Sequence, residues 1–118
     1  MYQDSPKCAI TFVLNLIGGK WKMPIMWTLS EHENLRYNEL KRQLEGITNT
    51  MLTRCLCELA DYGLVTRQEW NQIPPRVEYS LTDLGRALIP SLEQLIDWGT
   101  MWKADAIARG LEPPKEEA

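Results

Sequence analysis

Over residues 48–54 the chain places Thr48, Asn49, Thr50, Thr53 and Arg54 within two helical turns. Projection at about 100° per residue sets Thr50, Thr53, Arg54 and Cys57 on one side and Leu52, Cys55, Leu56 and Leu59 on the other. The first side is polar but carries a single charge. Short hydroxyls and an amide at a helix start suit the floor of a DNA groove, where asparagine pairs with adenine and arginine with guanine. Lys20, Lys22, Arg36, Asn38, Lys41 and Arg42 precede this segment, and Arg76 follows it, as candidates for phosphate contact. The competing reading is a solvated helix face with ordinary surface charges, in which Arg76 pairs with Glu78 or Glu69 across a strand.

Other chemistries find little support. His32 is the only histidine, and it lies between Glu31 and Glu33 in a charged stretch with no nucleophile beside it. Gly18-Gly19 lacks the lysine and serine or threonine of a phosphate-binding loop and reads as a turn between helices. Cys55 and Cys57 are about 200° apart around a helix axis and cannot share a metal or bond to each other. Neither an enzyme, a metal site nor a cofactor is therefore expected. Three cysteines do not form the disulfide framework of a small secreted domain.

These residues must be positioned by one domain's worth of chain. The 118 residues are 44% hydrophobic and 25% charged, and no apolar run reaches the roughly 18 residues that span a bilayer. Without a basic stretch and apolar core at the N-terminus, a cytoplasmic protein is expected. The net charge of −3 is uneven: residues 20–54 carry a positive excess of two, and residues 83–118 a negative excess of three.

Hydrophobic spacing predicts a helix over 8–17 stopped by Gly18-Gly19, and a second from Lys20 or Trp21 that tolerates Pro24 in its first turn. The second carries Trp21, Ile25, Met26, Trp27 and Leu29 into the core. Residues 35–37 are extended in character. Asn38 is the expected cap of a short third helix ending at Gly46, and Thr48 caps a fourth that Gly63 terminates. Residues 64–70 and 76–81 suit a β-hairpin stiffened at its tip by Pro74-Pro75. After Thr82-Asp83, a last helix carries Leu84, Leu88, Leu92, Leu95, Gly99 and Trp102 at three- or four-residue spacing, with a kink expected at Pro90. The stripe is longer than a small core needs.

The fold class expected is mainly α with a small β-hairpin (α+β): a winged helix-turn-helix with N- and C-terminal helices, dimerisation helices by what the family resemblance given next implies. The expected organisation is a flexible N-terminus over 1–7, a DNA-binding and dimerisation domain over 8–109, and a disordered tail over 110–118.

The ordered blocks Ile17-Gly18-Gly19-Lys20-Trp21-Lys22, Leu35-Arg36-Tyr37-Asn38-Glu39-Leu40, Gly46-Ile47-Thr48, Met51-Leu52-Thr53, Leu59-Ala60-Asp61-Tyr62-Gly63-Leu64-Val65 and Pro74-Pro75-Arg76-Val77-Glu78-Tyr79-Ser80-Leu81-Thr82 resemble the HxlR family of bacterial transcription regulators. The resemblance covers residues from about 8 to 103. It implies a homodimeric winged-helix regulator of double-stranded DNA, more often a repressor. Residues 48–54 would begin the recognition helix, Thr53 would suit a phosphate contact, and Arg76 would be the wing arginine. Thr50 stands where relatives commonly carry a long polar or basic residue. The family's dimer joins its terminal helices, which assigns Ile10, Val13, Leu14, Leu88, Leu92, Leu95, Trp98, Gly99 and Trp102 to an interface.

Family members that sense oxidants or electrophiles use a cysteine near the N-terminus, the position Cys8 occupies. Lys7 beside it favours the thiolate, and the alternative is that Cys8 only packs as a small apolar group. A winged helix used for protein contacts is the alternative function.

Overall fold

The computed structural model describes residues 5–115. The elements run α1 (Pro6–Ile17), α2 (Lys22–Ser30), β1 (Leu35–Arg36), α3 (Tyr37–Gln43), α4 (Asn49–Asp61), β2 (Val65–Trp70), β3 (Arg76–Leu81) and α5 (Asp83–Arg109). The expected α+β class holds, as five helices with a small antiparallel sheet among the described residues. The hairpin gains a third strand in the order β1-β3-β2, with Arg36 opposite Glu78 on one side of β3 and Trp70 opposite Arg76 on the other.

The core lies between α2, α3 and α4 and is closed by the sheet and α5. Ile25, Met26, Leu29, Leu40, Leu52 and Leu59 are fully buried at its centre. Leu92 of α5 is buried in this same core and Leu88, partly buried, packs on it, so both contribute to their own subunit's core. Trp21 and Trp27 cover the core's edge, half-buried.

Helix starts follow the local hydrogen-bond chemistry. Ser5 Oγ accepts from the Cys8 amide at 3.1 Å and Pro6 opens the first turn, so α1 begins inside the segment expected to be flexible. Residues 1–4 of that segment lie outside the described residues. Asn38 does not cap α3. Arg36 holds the cap position, and its amide donates to Glu39 Oε1 at 2.8 Å, which lets the helix start one residue before Asn38. Thr48 caps α4 as expected, its Oγ accepting from the Met51 amide at 3.1 Å.

α5 continues through Pro90 as one helix of 27 residues and ends at Gly110 in the left-handed conformation. Residues 111–115 form no helix or strand, and 116–118, the rest of the expected tail, lie outside the described residues.

The junction of wing and α5 is tight. Gly63 turns the chain out of α4 at φ 74°, a conformation natural to glycine. Thr82 Oγ donates to the Gly63 carbonyl at 2.6 Å and accepts from the Gly85 amide at 3.0 Å. A Cβ on Gly85 would lie 2.2 Å from the Leu64 carbonyl oxygen, a backbone atom that cannot rotate away. Gly85→Ala is therefore expected to lower the unfolding free energy by about 1–3 kcal/mol, as overpacking does, measured by urea denaturation. An unchanged midpoint would refute the close approach.

Candidate nucleic-acid interface

The start of α4 is a solvent-facing polar surface. Thr48, Asn49, Thr50, Thr53 and Arg54 are all exposed, while Leu52, Cys55, Leu56 and Leu59 face the core. Capping satisfies the Met51 amide and leaves those of Asn49 and Thr50 at the positive end of the helix dipole, suited to an anionic oxygen.

Tyr37, to which the sequence reading gave no role, stands behind this turn. Its hydroxyl donates to the Asn49 carbonyl at 3.0 Å and lies 3.0 Å from Thr53 Oγ1 and 3.4 Å from Asn49 Oδ1. The first residue of α3 is thereby tied to the first turn of α4. The available signal was a tyrosine at a helix start, whose ring tip must find a polar partner when half-buried.

The structure separates the candidate cations into groups. Lys22 Nζ is 3.4 Å from Glu58 Oε1 and stacks over Tyr62, and its side chain is only 12% exposed, so it is held against α4. Arg54 shares Glu58 at 4.0 Å but remains 68% exposed, so its guanidinium can leave the pair at little cost. Glu58 was not among the sequence candidates. Lys20 lies over the Trp21 ring. Lys41 and Arg42 occupy the last turn of α3, where they also complement the carbonyl end of that helix.

A second cluster forms on the sheet. Glu78, on the central strand, is buried; its Oε2 is 3.1 Å from Arg76 Nε and 4.0 Å from Arg36 Nε. The Arg76 guanidinium lies 4.5 Å from the Trp70 ring centroid. Arg76 Nε and Glu78 Oε1 make no aligned hydrogen bond, so charge and proximity join the pair. The Glu78 partner weighed for Arg76 is the one present, and Glu69 pairs with Arg67 at 2.9 Å. Stacked and paired, Arg76 is half fixed before any ligand arrives.

Away from these clusters, α1 carries exposed Ile10, Val13 and Leu14, and the outer half of α5 carries exposed Leu95 and Trp98, with Gly99 and Trp102 partly covered. Cys8 and Cys57 are exposed; Cys55 is buried, and burial pushes its thiol pKa up. Among the described residues no group of acidic, cysteine or histidine side chains is gathered to hold a metal, and no helix is long and apolar enough to cross a membrane.

The model of the HxlR-like helix-turn-helix matches residues 16–106. The chain belongs to the HxlR family. An HxlR-type assignment agrees with its relatives: it is 50% identical over 97 residues to an uncharacterised HTH-type transcriptional regulator of Halalkalibacterium halodurans, covering 82% of this chain and 83% of that one. Among solved structures, a transcriptional regulator of the MarR family from Enterococcus faecalis superposes with a TM-score of 0.77 at 40% identity, covering 92% and 97% of the two chains. The redox regulator HypR superposes in its oxidised form with a TM-score of 0.74 at 42% identity (80% of this chain, 96% of HypR). In its reduced form the TM-score is 0.78 at 39% identity, over 85% and 98%. The HxlR-family fold is thus a winged helix, and the protein is a transcriptional regulator of the helix-turn-helix type, with α3 and α4 as the motif and β2–β3 as the wing.

Proposed function

We propose that the protein binds a pseudo-palindromic operator as a homodimer and represses transcription by obstructing polymerase. The observation that carries this reading is the exposed, Thr48-capped first turn of α4, with Asn49, Thr50, Thr53 and Arg54 displayed on one face. In a two-fold dimer the two α4 helices would meet successive major grooves about 34 Å apart or a multiple of it. Arg76, Arg36, Lys20, Lys41, Arg42 and Asn38 would position the protein on the backbone, and Arg54 would read a base.

Selecting random duplexes with the reduced protein at near-physiological salt tests this reading: an enriched inverted repeat supports it, and retention without sequence preference points to a protein-contact module instead. On the selected site, Arg54→Ala is expected to cost roughly 1–3 kcal/mol and to relax preference at one base pair. Lys41→Ala is expected to weaken all duplexes alike and to lower the salt slope by about 0.9. Identical effects of the two changes on every duplex would remove Arg54 from base reading.

The dimer is supported by the apolar side chains that α1 and α5 leave uncovered, from Ile10, Val13 and Leu14 to Leu95 and Trp98. Leu95→Glu places a charge there and is expected to yield folded monomers in sedimentation; a stable dimer would exclude Leu95 from the interface.

Cys8 is proposed to make DNA binding responsive to oxidants or electrophiles, a reading supported by its exposure at the start of α1 and by similarity to the redox regulator HypR. Because Cys57 is exposed on the α4 face, the comparison needs both thiols. Oxidant should alter operator binding by the unmodified protein and by Cys57→Ser, and leave Cys8→Ser unaffected. Loss in Cys8→Ser equal to that in the unmodified protein would remove Cys8 from the response.

A further inference from the structure

The hydroxyl of Tyr37 has one proton to give and three oxygens around it: the Asn49 carbonyl at 3.0 Å, Thr53 Oγ1 at 3.0 Å and Asn49 Oδ1 at 3.4 Å. A carbonyl only accepts, whereas a threonine hydroxyl both donates and accepts. With the Tyr37 proton on the Asn49 carbonyl, Thr53 must donate to Tyr37 Oη, and its outward side then offers only lone pairs. In that state Thr53 repels a phosphate oxygen and any base acceptor.

The second arrangement removes that conflict. If the Thr53 hydroxyl turns its proton outward, the Tyr37 proton can rotate to Thr53 Oγ1, so that each hydroxyl donates once. The Asn49 carbonyl does not become an orphan, because as the first residue of α4 it stands where the Thr53 amide four residues on supplies the helical bond. The exchange needs two rotations about C–O bonds and no movement of the backbone. A phenylalanine ring would fill the same place without either arrangement.

We propose that Tyr37 is a positioning residue for DNA contact that acts through Thr53: by donating to Thr53 Oγ1 in the complex it fixes the orientation in which the Thr53 hydroxyl points its own proton outward, toward a nucleic-acid oxygen. This rests on the DNA-reading function proposed above. Tyr37 itself belongs to α3, so the helix that supports the motif also sets the hydrogen-bonding sense of the helix that reads.

The effect is separable from folding. Tyr37→Phe keeps the ring and its packing, and Thr53→Val changes an exposed side chain on α4. These variants, the double variant and Thr53→Ser are compared on the duplex selected by the unmodified protein and on an unrelated duplex, with melting temperatures recorded for each. The expected result is an approximately tenfold loss on the selected duplex for Tyr37→Phe and for Thr53→Val, a parallel loss on the unrelated duplex because a phosphate contact carries no sequence information, no further loss when the two changes are combined, and retention in Thr53→Ser. Multiplying losses in the double variant, or a loss in Thr53→Ser equal to that in Thr53→Val, would overturn the coupling. Unmodified affinity in Tyr37→Phe would overturn it as well, while leaving the DNA-reading function intact. Absence of any selected sequence for the unmodified protein would sink that function and the inference together.

Discussion

Because Thr82 donates to the Gly63 carbonyl and accepts from the Gly85 amide, the end of α4, the base of the wing and the first turn of α5 are fixed to one another around a single hydroxyl. The junction also needs α5 to lack a side chain at Gly85, where a Cβ would strike the Leu64 carbonyl oxygen, and the chain to turn left-handed at Gly63. The direction of α5 relative to α4 follows from it. So does the distance between the wing arginine and the helix-turn-helix, since β2 leaves this junction and β3 returns to it.

Two carboxylates then govern the cations of the surface. Glu58 holds Lys22 against α4 and leaves Arg54 loosely tethered, whereas buried Glu78 grips Arg76 from within the sheet and reaches Arg36 at a longer range. The consequences differ with burial. An exposed pair such as Arg54 with Glu58 contributes little and releases its arginine readily, while a buried carboxylate stripped of its cation is costly. Arg76 therefore has a structural duty beside any contact with DNA.

The order of elements was legible because each boundary had a local cause. Thr48 accepting from Met51, Gly63 at positive φ and the paired prolines of the wing tip can all be read from residue type. The alternation of Leu52, Cys55, Leu56 and Leu59 with the polar side of α4 gave the exposed face of that helix directly. What sequence reading missed was long-range. The pairing of Leu35 and Arg36 with β3 joins residues more than forty positions apart, and the bond from Tyr37 to Asn49 and Thr53 crosses from one helix to another. The start of α3 was misplaced because the Glu39 carboxylate caps the helix from inside, and the stripe on α5 was divided by the core's claim on Leu88 and Leu92, which periodicity alone does not distinguish from a claim by a second subunit.

α1 buries Ile17 and packs Leu16 on the core, and leaves Ile10, Phe12, Val13 and Leu14 exposed within the subunit. A helix of 12 residues is marginal by itself in water, so its order is linked by mass action to whatever covers it. Cys8 lies in the first turn of that helix. In the dimer proposed above, the accessibility of its thiol would follow how much protein the cell contains, and the same residue with the same immediate neighbours would answer differently in a scarce regulator and in an abundant one.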